Sequence, residues 1–240
     1  MKTKLNTKTL LPLVVLGLMV GLAVGGKVDP VRMSTVAIYH EIIYSWDNDY
    51  DSTDREINFV GSGTFISPNV VLTAAHLRPL PHCDIKDPYE REWMLKSVIR
   101  VVVRPVGEDK FYLTSELFVP ENEEDVMLLR VLGYRSRYFL PLGRPKVGKK
   151  CRIPTFYKGI PVDFEGKVIH VGYEMTWGVL EEKTDYLILF TPNIYPGVSG
   201  SPLVQDGKIV GVVVGRLPTI YPFGLAYPLD VVRSFLERKK

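Results

Sequence analysis

The chain has 240 residues, 46% hydrophobic and 24% charged, with a formal net charge of +3 at pH 7. That balance excludes a wholly disordered chain and allows one large domain or two small ones. The positive charge gathers at the two ends (Lys2, Lys4, Lys8; Arg238, Lys239, Lys240) rather than in a basic stripe interleaved with aromatics, so nucleic acid is not an expected partner.

Two cysteines, Cys83 and Cys151, are too few for a disulfide framework and are expected as free, mostly buried thiols. No His and Cys spacing suggests a metal site, and no cofactor is expected. His40, His82 and His170 are scattered and read as structural.

At the N-terminus three lysines precede the uncharged run Leu10 to Gly26. The run is long for a secretory apolar segment and near the lower limit for a membrane helix. Ala23-Val24-Gly25 offers small residues at the spacing signal peptidase needs, while Pro12 and four glycines make a poor soluble helix. Residues 1–27 are therefore expected to form a signal peptide or signal anchor. Either places the lysines inside and the remaining chain outside the cytoplasm, membrane-anchored or secreted after cleavage.

From Thr35 onward the pattern is that of a β protein. Val36 to Tyr39 and Ile57 to Val60 are β-branched and aromatic, separated by the turn-rich stretch Trp46 to Asp54. Gly63 to Ile66 and Val70 to Thr73, joined by Ser67-Pro68-Asn69, read as a hairpin. Leu77 to Arg91, rich in Pro and charge, reads as an inserted loop. Val98 to Val103, Phe111 to Leu113 and Val126 to Val131 follow as strands, and Leu140 to Gly143 as a connector. A second series runs through Cys151 to Phe156, Gly166 to Val171, Tyr186 to Thr191, Ser201 to Val204 and Lys208 to Val214. Many short strands at regular spacing predict a sandwich or barrel. Asp230 to Lys239 is the one good helix pattern, with Val231, Val232, Phe235 and Leu236 on one face. No internal repeat is visible in the motifs.

Gly197-Val198-Ser199-Gly200-Ser201-Pro202 places a serine between glycines, a composition for a tight turn that presents the hydroxyl and frees nearby N–H groups. A serine hydroxyl needs a base, and His76 in Leu72-Thr73-Ala74-Ala75-His76 is the candidate. Asp125, ending the acidic run that begins at Glu121, stands directly before the apolar strand Val126 to Leu129 and could orient the histidine. Glu124 is the next candidate, but on a strand its side chain would point the other way.

These three motifs, in the order His76, Asp125, Ser199, resemble those of the chymotrypsin-like serine proteases, over roughly residues 33 to 238. The α/β-hydrolases order their triad Ser, Asp, His, and carry glycine where Ser201 stands. Ile194 to Pro202 is most similar to the I-N-P-G-N-S-G-G-P of HtrA/Deg proteases, and Gly224-Leu225-Ala226-Tyr227-Pro228 to their G-x-A-x-P. The resemblance implies an all-β protease domain over residues 33–240. Its two six-stranded antiparallel Greek-key barrels would span about residues 33–138 and 145–228, with a C-terminal helix at about 229–239.

It also implies an oxyanion hole from the backbone N–H groups of Gly197 and Ser199. Asn193, Ile194 and Val213 fall on the walls of the primary specificity pocket, without the acidic group a trypsin-like preference needs. Val214, Gly215 and Arg216 fall on the strand that pairs with extended substrate, Arg216 narrowing the entrance.

The chain departs from the family in three places. Val198 stands where digestive proteases carry the Asp that receives a new N-terminus, so activation through Val24-Gly25-Gly26 is not expected. Val214 replaces a frequent serine, as in the HtrA/Deg branch, and Met127 a small residue. The sequence also ends directly after the helix, so a protease domain without a PDZ domain is expected. Its partners would be protein or peptide substrates, and the membrane through the N-terminal segment. The alternative is a catalytically silent protein of the same fold that binds partners through its cleft, which has no need of all three groups.

Overall fold

A computed structural model describes residues 28–45, 53–79, 96–120, 124–177, 182–191, 194–195, 197–217 and 223–239. The N-terminal segment, Asn193, Cys83, His82 and most of the loop after Leu77 lie outside the described residues. Among the described residues no helix is long and apolar enough to cross a membrane.

Among the described residues a four-residue helix α1 (Pro30–Met33) leads into twelve strands. These are β1 (Thr35–Ser45), β2 (Thr53–Ser67), β3 (Val70–Thr73), β4 (Lys96–Pro105), β5 (Tyr112–Phe118), β6 (Met127–Val131), β7 (Lys150–Tyr157), β8 (Ile160–Trp177), β9 (Glu182–Thr191), β10 (Pro202–Gln205), β11 (Lys208–Arg216) and β12 (Gly224–Tyr227). Helix α2 (Asp230–Arg238) follows. The first six strands close into one barrel in the order β1-β2-β3-β6-β5-β4, and the last six into another in the order β7-β8-β9-β12-β11-β10. Neighbours within each barrel are antiparallel. The second order is the first with every strand advanced by six. The two halves thus share one topology, with a Greek-key jump in each, and form the two six-stranded antiparallel barrels that the resemblance implies.

Strand β1 shows why its sequence does not alternate. Val36 and Ile38, both fully buried, point into the first barrel, where they meet Phe65, Val71, Leu72 and Leu128. Ala37 and Tyr39 point the other way and pack on Val102 and on Phe156 of β7. One strand lines a barrel with one face and the junction between barrels with the other, so four consecutive residues are apolar.

The separate strands expected at Ile57 to Val60 and Gly63 to Ile66 are one continuous strand, β2. A Cβ at Gly63 would sit 2.7 Å from Val71 Cγ1, so the glycine serves close packing rather than a turn. Val60 is the extra residue where pairing passes from Ile38↔Gly61 to Tyr39↔Phe59. The expected strand Gly166 to Val171 likewise extends to the whole of β8, with bulges absorbing its curvature. β12 was not expected as a strand. The Ser67-Pro68-Asn69 hairpin is present, Ser67 pairing with Val70.

Helix α2 lies against the first barrel through the expected face. Val232 is fully buried and Phe235 stacks on Phe118, centroids 4.3 Å apart. In the second barrel Cys151 is a free, buried thiol, its pKa pushed up to about 11 by that burial. At the other end of the chain, Asp29 accepts the Val31 N–H at 3.0 Å and pairs with Arg152 at 2.7 Å, joining α1 to β7. The Arg152 guanidinium holds the Asp29 carboxyl below the usual carboxylate range.

Candidate active site

Strands β3 and β6 run antiparallel, with Thr73 opposite Met127. Continuing that register outward brings the residues just after β3 to those just before β6. Ala74 is extended and fully buried, and a 3-10 turn over Ala75–Leu77 carries the chain out of the barrel. The turn buries Leu77 and leaves the His76 side chain 42% exposed. His40 supports this turn, its Nε2 lying 2.8 Å from the Leu77 carbonyl oxygen.

Asp125 answers from the opposite side. Its Oδ1 accepts the His76 backbone N–H at 2.8 Å, and its Oδ2 lies 2.6 Å from His76 Nδ1. A carboxylate can only accept, so Nδ1 carries the proton and Nε2 is left as the acceptor facing away. Strand alternation is not what separates Asp125 from Glu124. Both precede β6, in a bend where the Val126 N–H donates to the Glu124 carbonyl at 2.8 Å, so strand alternation does not sort them. The bend does.

The serine lies on the turn between β9 and β10, which docks on the first barrel. Gly197 and Gly200 have φ of +92° and +80°, where side chains are strained. A Cβ on Gly200 would also collide with Ser62 O and Thr73 Oγ1, both well inside 3.0 Å. At Gly61 a Cβ would meet Leu77 Cδ1 at 2.5 Å and Ser199 O at 2.7 Å. Histidine turn, serine turn and β2 therefore converge on two glycines. Among the described residues no hydrogen bond joins His76 Nε2 to Ser199 Oγ. Such contacts are often long without substrate and tighten when it binds.

Three backbone N–H groups around the serine are bonded within the turn and to β11. Val198 N–H donates to Tyr195 O at 3.3 Å, Gly200 N–H to Val213 O at 2.7 Å and Ser201 N–H to Val198 O at 3.1 Å. Among the described residues the Gly197 and Ser199 N–H groups have no acceptor. Two free donors flanking a serine are what a developing oxyanion requires.

Of the expected pocket residues, Asn193 lies outside the described ones. Ile194 and Val213 are buried, 4% and 0% exposed, in one cluster with Phe190, Val198 and Ala226. Val214 is the bulged residue where pairing passes from Val213↔Ala226 to Gly215↔Leu225. Gly215 has open space at its Cβ position, and Arg216 is exposed opposite Gly224.

The sequence reading missed Phe190. Its fully buried ring lies against Gly224 and shares one buried cluster with Ile194 and Val213. No local signal marks it, because a strand phenylalanine reads as core. It also missed Tyr195, 60% exposed beside the serine turn, with the rings of Tyr157 and Phe164 at 6.2 and 6.3 Å.

The family model described as trypsin-like peptidase domain matches residues 61–212. The fold is similar to that of the Rv3671c protease of M. tuberculosis in its active form (TM-score 0.62, 19% identity, 86% of this chain and 81% of that one covered). It is also similar to the MamO protease domain of Magnetospirillum magneticum (0.59, 17%, 86% and 97%). The HtrA-type protease AlgW with a decapeptide gives 0.61 at 15% identity, with 88% and 68% covered. No curated protein matches the chain by sequence.

Proposed function

This chain belongs to the trypsin-like peptidase domain family, and we propose that it is an extracytoplasmic serine endopeptidase acting through His76, Asp125 and Ser199. The observation that carries the reading is the double hold of Asp125 on His76, at 2.8 Å to its N–H and 2.6 Å to Nδ1. This fixes the tautomer in which Nε2 can take a proton.

Ser199 Oγ attacks the scissile carbonyl carbon while its proton passes to Nε2. The carbonyl oxygen becomes an oxyanion held by the Gly197 and Ser199 N–H groups, each worth about 2.7–4 kcal/mol of barrier. Collapse breaks the C–N bond as Nε2 returns the proton to the leaving amine. Water then attacks the acyl ester through the same base, releasing the carboxylic acid and restoring Ser199.

Protein or peptide substrates would lie extended along β11 beyond Val213. There the ladder to β10 has ended at Pro202↔Val212, and Gly215 leaves space. With Ile194 and Val213 in one buried cluster with Phe190, the pocket suits small or medium aliphatic residues. Discrimination would be broad, since apolar pockets give about 1–3 kcal/mol per methylene. The lysines ahead of Leu10 support placement outside the cytoplasm. Protease added to intact cells should then digest the domain beyond Lys27, and its protection would reverse the orientation.

A fluorophosphonate probe tests the chemistry, since only an activated serine is labelled. Labelling of the wild type, lost in Ser199→Ala and His76→Ala, is the expected result. An unlabelled wild type that still binds peptides would make the protein a silent binding module instead.

A further inference from the structure

Ser201 stands where the resembling motifs carry a second glycine, and its side chain is fully buried. So are Ser62 on β2 and Thr155 on β7, at 0% and 1% exposure. Ser201 Oγ donates to Thr155 Oγ1 at 2.6 Å, and Thr155 Oγ1 lies 3.1 Å from Ser62 Oγ. Ser62 Oγ accepts the Phe156 N–H at 2.9 Å, and Thr155 Oγ1 lies 3.3 Å from Phe156 O.

Proton bookkeeping selects one arrangement of these hydroxyls. If Ser201 and Ser62 both donate to Thr155, they fill its two lone pairs, and Thr155 donates to the Phe156 carbonyl. Every buried hydroxyl hydrogen is then placed. The reverse direction, Thr155 to Ser62, would strand the Ser62 hydrogen without an acceptor among the described residues, which buried groups avoid.

Thr155 is thus a hub from the second barrel holding two serines that flank the nucleophile's peptide. Ser62 donates its N–H to Ser199 O at 2.8 Å, and its own carbonyl accepts from Thr73 Oγ1 at 2.7 Å, three residues before His76. The peptide group linking Ser199 to Gly200 is bonded at both ends, its oxygen to Ser62 N–H and its N–H to Val213 O. A peptide plane held on both sides fixes the direction of the Ser199 Cα–C bond, and so narrows the space in which its side chain can lie.

We infer that Ser62, Thr155 and Ser201 form a positioning clamp that sets the orientation of the Ser199 peptide. Its kinetic consequence rests on the serine-protease reading, but its structural consequence does not. The substitution of serine for glycine at 201 is the chain's own contribution, adding a tether from the turn to β7 beside the turn's bond to β2.

Thr155→Val keeps the shape and removes the hub hydroxyl, Thr155→Ser restores the hydroxyl, and Ser201→Gly removes one arm. In Thr155→Val, exchange of the Ser62 and Gly200 amide hydrogens should accelerate about 10-fold or more. For peptide hydrolysis kcat should fall about 10- to 100-fold while KM stays within about 2-fold, because geometry and not binding is lost. Thr155→Ser should return both readouts to near wild type.

Unchanged exchange and kcat in Thr155→Val, or a Thr155→Ser as impaired as the valine variant, would overturn the clamp. If Thr155→Val does not fold, Ser201→Gly gives the same readouts with the same expected direction, and no change in it overturns the inference. A wild type that no fluorophosphonate labels strikes the protease reading alone, and the exchange data still decide the clamp.

Discussion

Replacing Gly200 by alanine should damage stability and the site together. The new Cβ would fall well inside 3.0 Å of Ser62 O and Thr73 Oγ1, and both atoms belong to backbone or short side chains that cannot swing aside. The φ of +80° adds about 1–2 kcal/mol for a residue with a Cβ. Relief requires moving Ser62 away from the turn. That breaks the Thr73 Oγ1 to Ser62 O bond at 2.7 Å and the Ser62 N–H to Ser199 O bond at 2.8 Å, each worth about 1 kcal/mol. The sum is about 3–4 kcal/mol, a large share of a domain's net stability. Urea unfolding followed by tryptophan fluorescence measures it, and fluorophosphonate labelling of the folded fraction reads the site. A loss below about 1 kcal/mol with labelling intact would refute the claim that three backbone segments meet at Gly200.

Asp125→Asn should lower peptide hydrolysis by about 10⁴-fold with the fold intact, through the wrong histidine tautomer; if Glu124→Gln proves the damaging change, the bend before β6 has been misread. Arg216→Gly should widen acceptance to larger apolar residues before the scissile bond in a peptide library. If instead it abolishes cleavage after Glu or Asp, the arginine is a counter-charge. Because burial pushes the Cys151 thiol up to about 11, it should resist iodoacetamide at pH 8 in the folded chain and react on unfolding, as peptide mapping will show. The raised value also means a stabilising contribution complete below the thiol's ordinary 9.0 and lost as pH climbs towards about 11. Alkylation of the native thiol at the denatured rate would contradict its burial.

The sequence by itself determined which residues are candidates for the chemistry, because those candidates depend on local composition. Glycines around Ser199, small residues before His76 and an acid at the mouth of an apolar strand are demands of short range, and they stand within a few residues of each group. The strands with strong β-branched patterns and the amphipathic face of α2 were legible for the same reason. Close approach between distant segments was not. Nothing in the sequence marks what Gly61 and Gly63 approach, and only the tertiary structure shows them admitting Ser199 and Val71 against β2. Phe190 against Gly224 is likewise a property of how strands close. The hydroxyls of Ser62 and Thr155 carry no signal of their own, because their partner lies 93 residues away in the chain. A hydrogen bond between buried groups is decided by where the backbone brings them, and that is settled by the packing of two barrels, not by either neighbourhood alone.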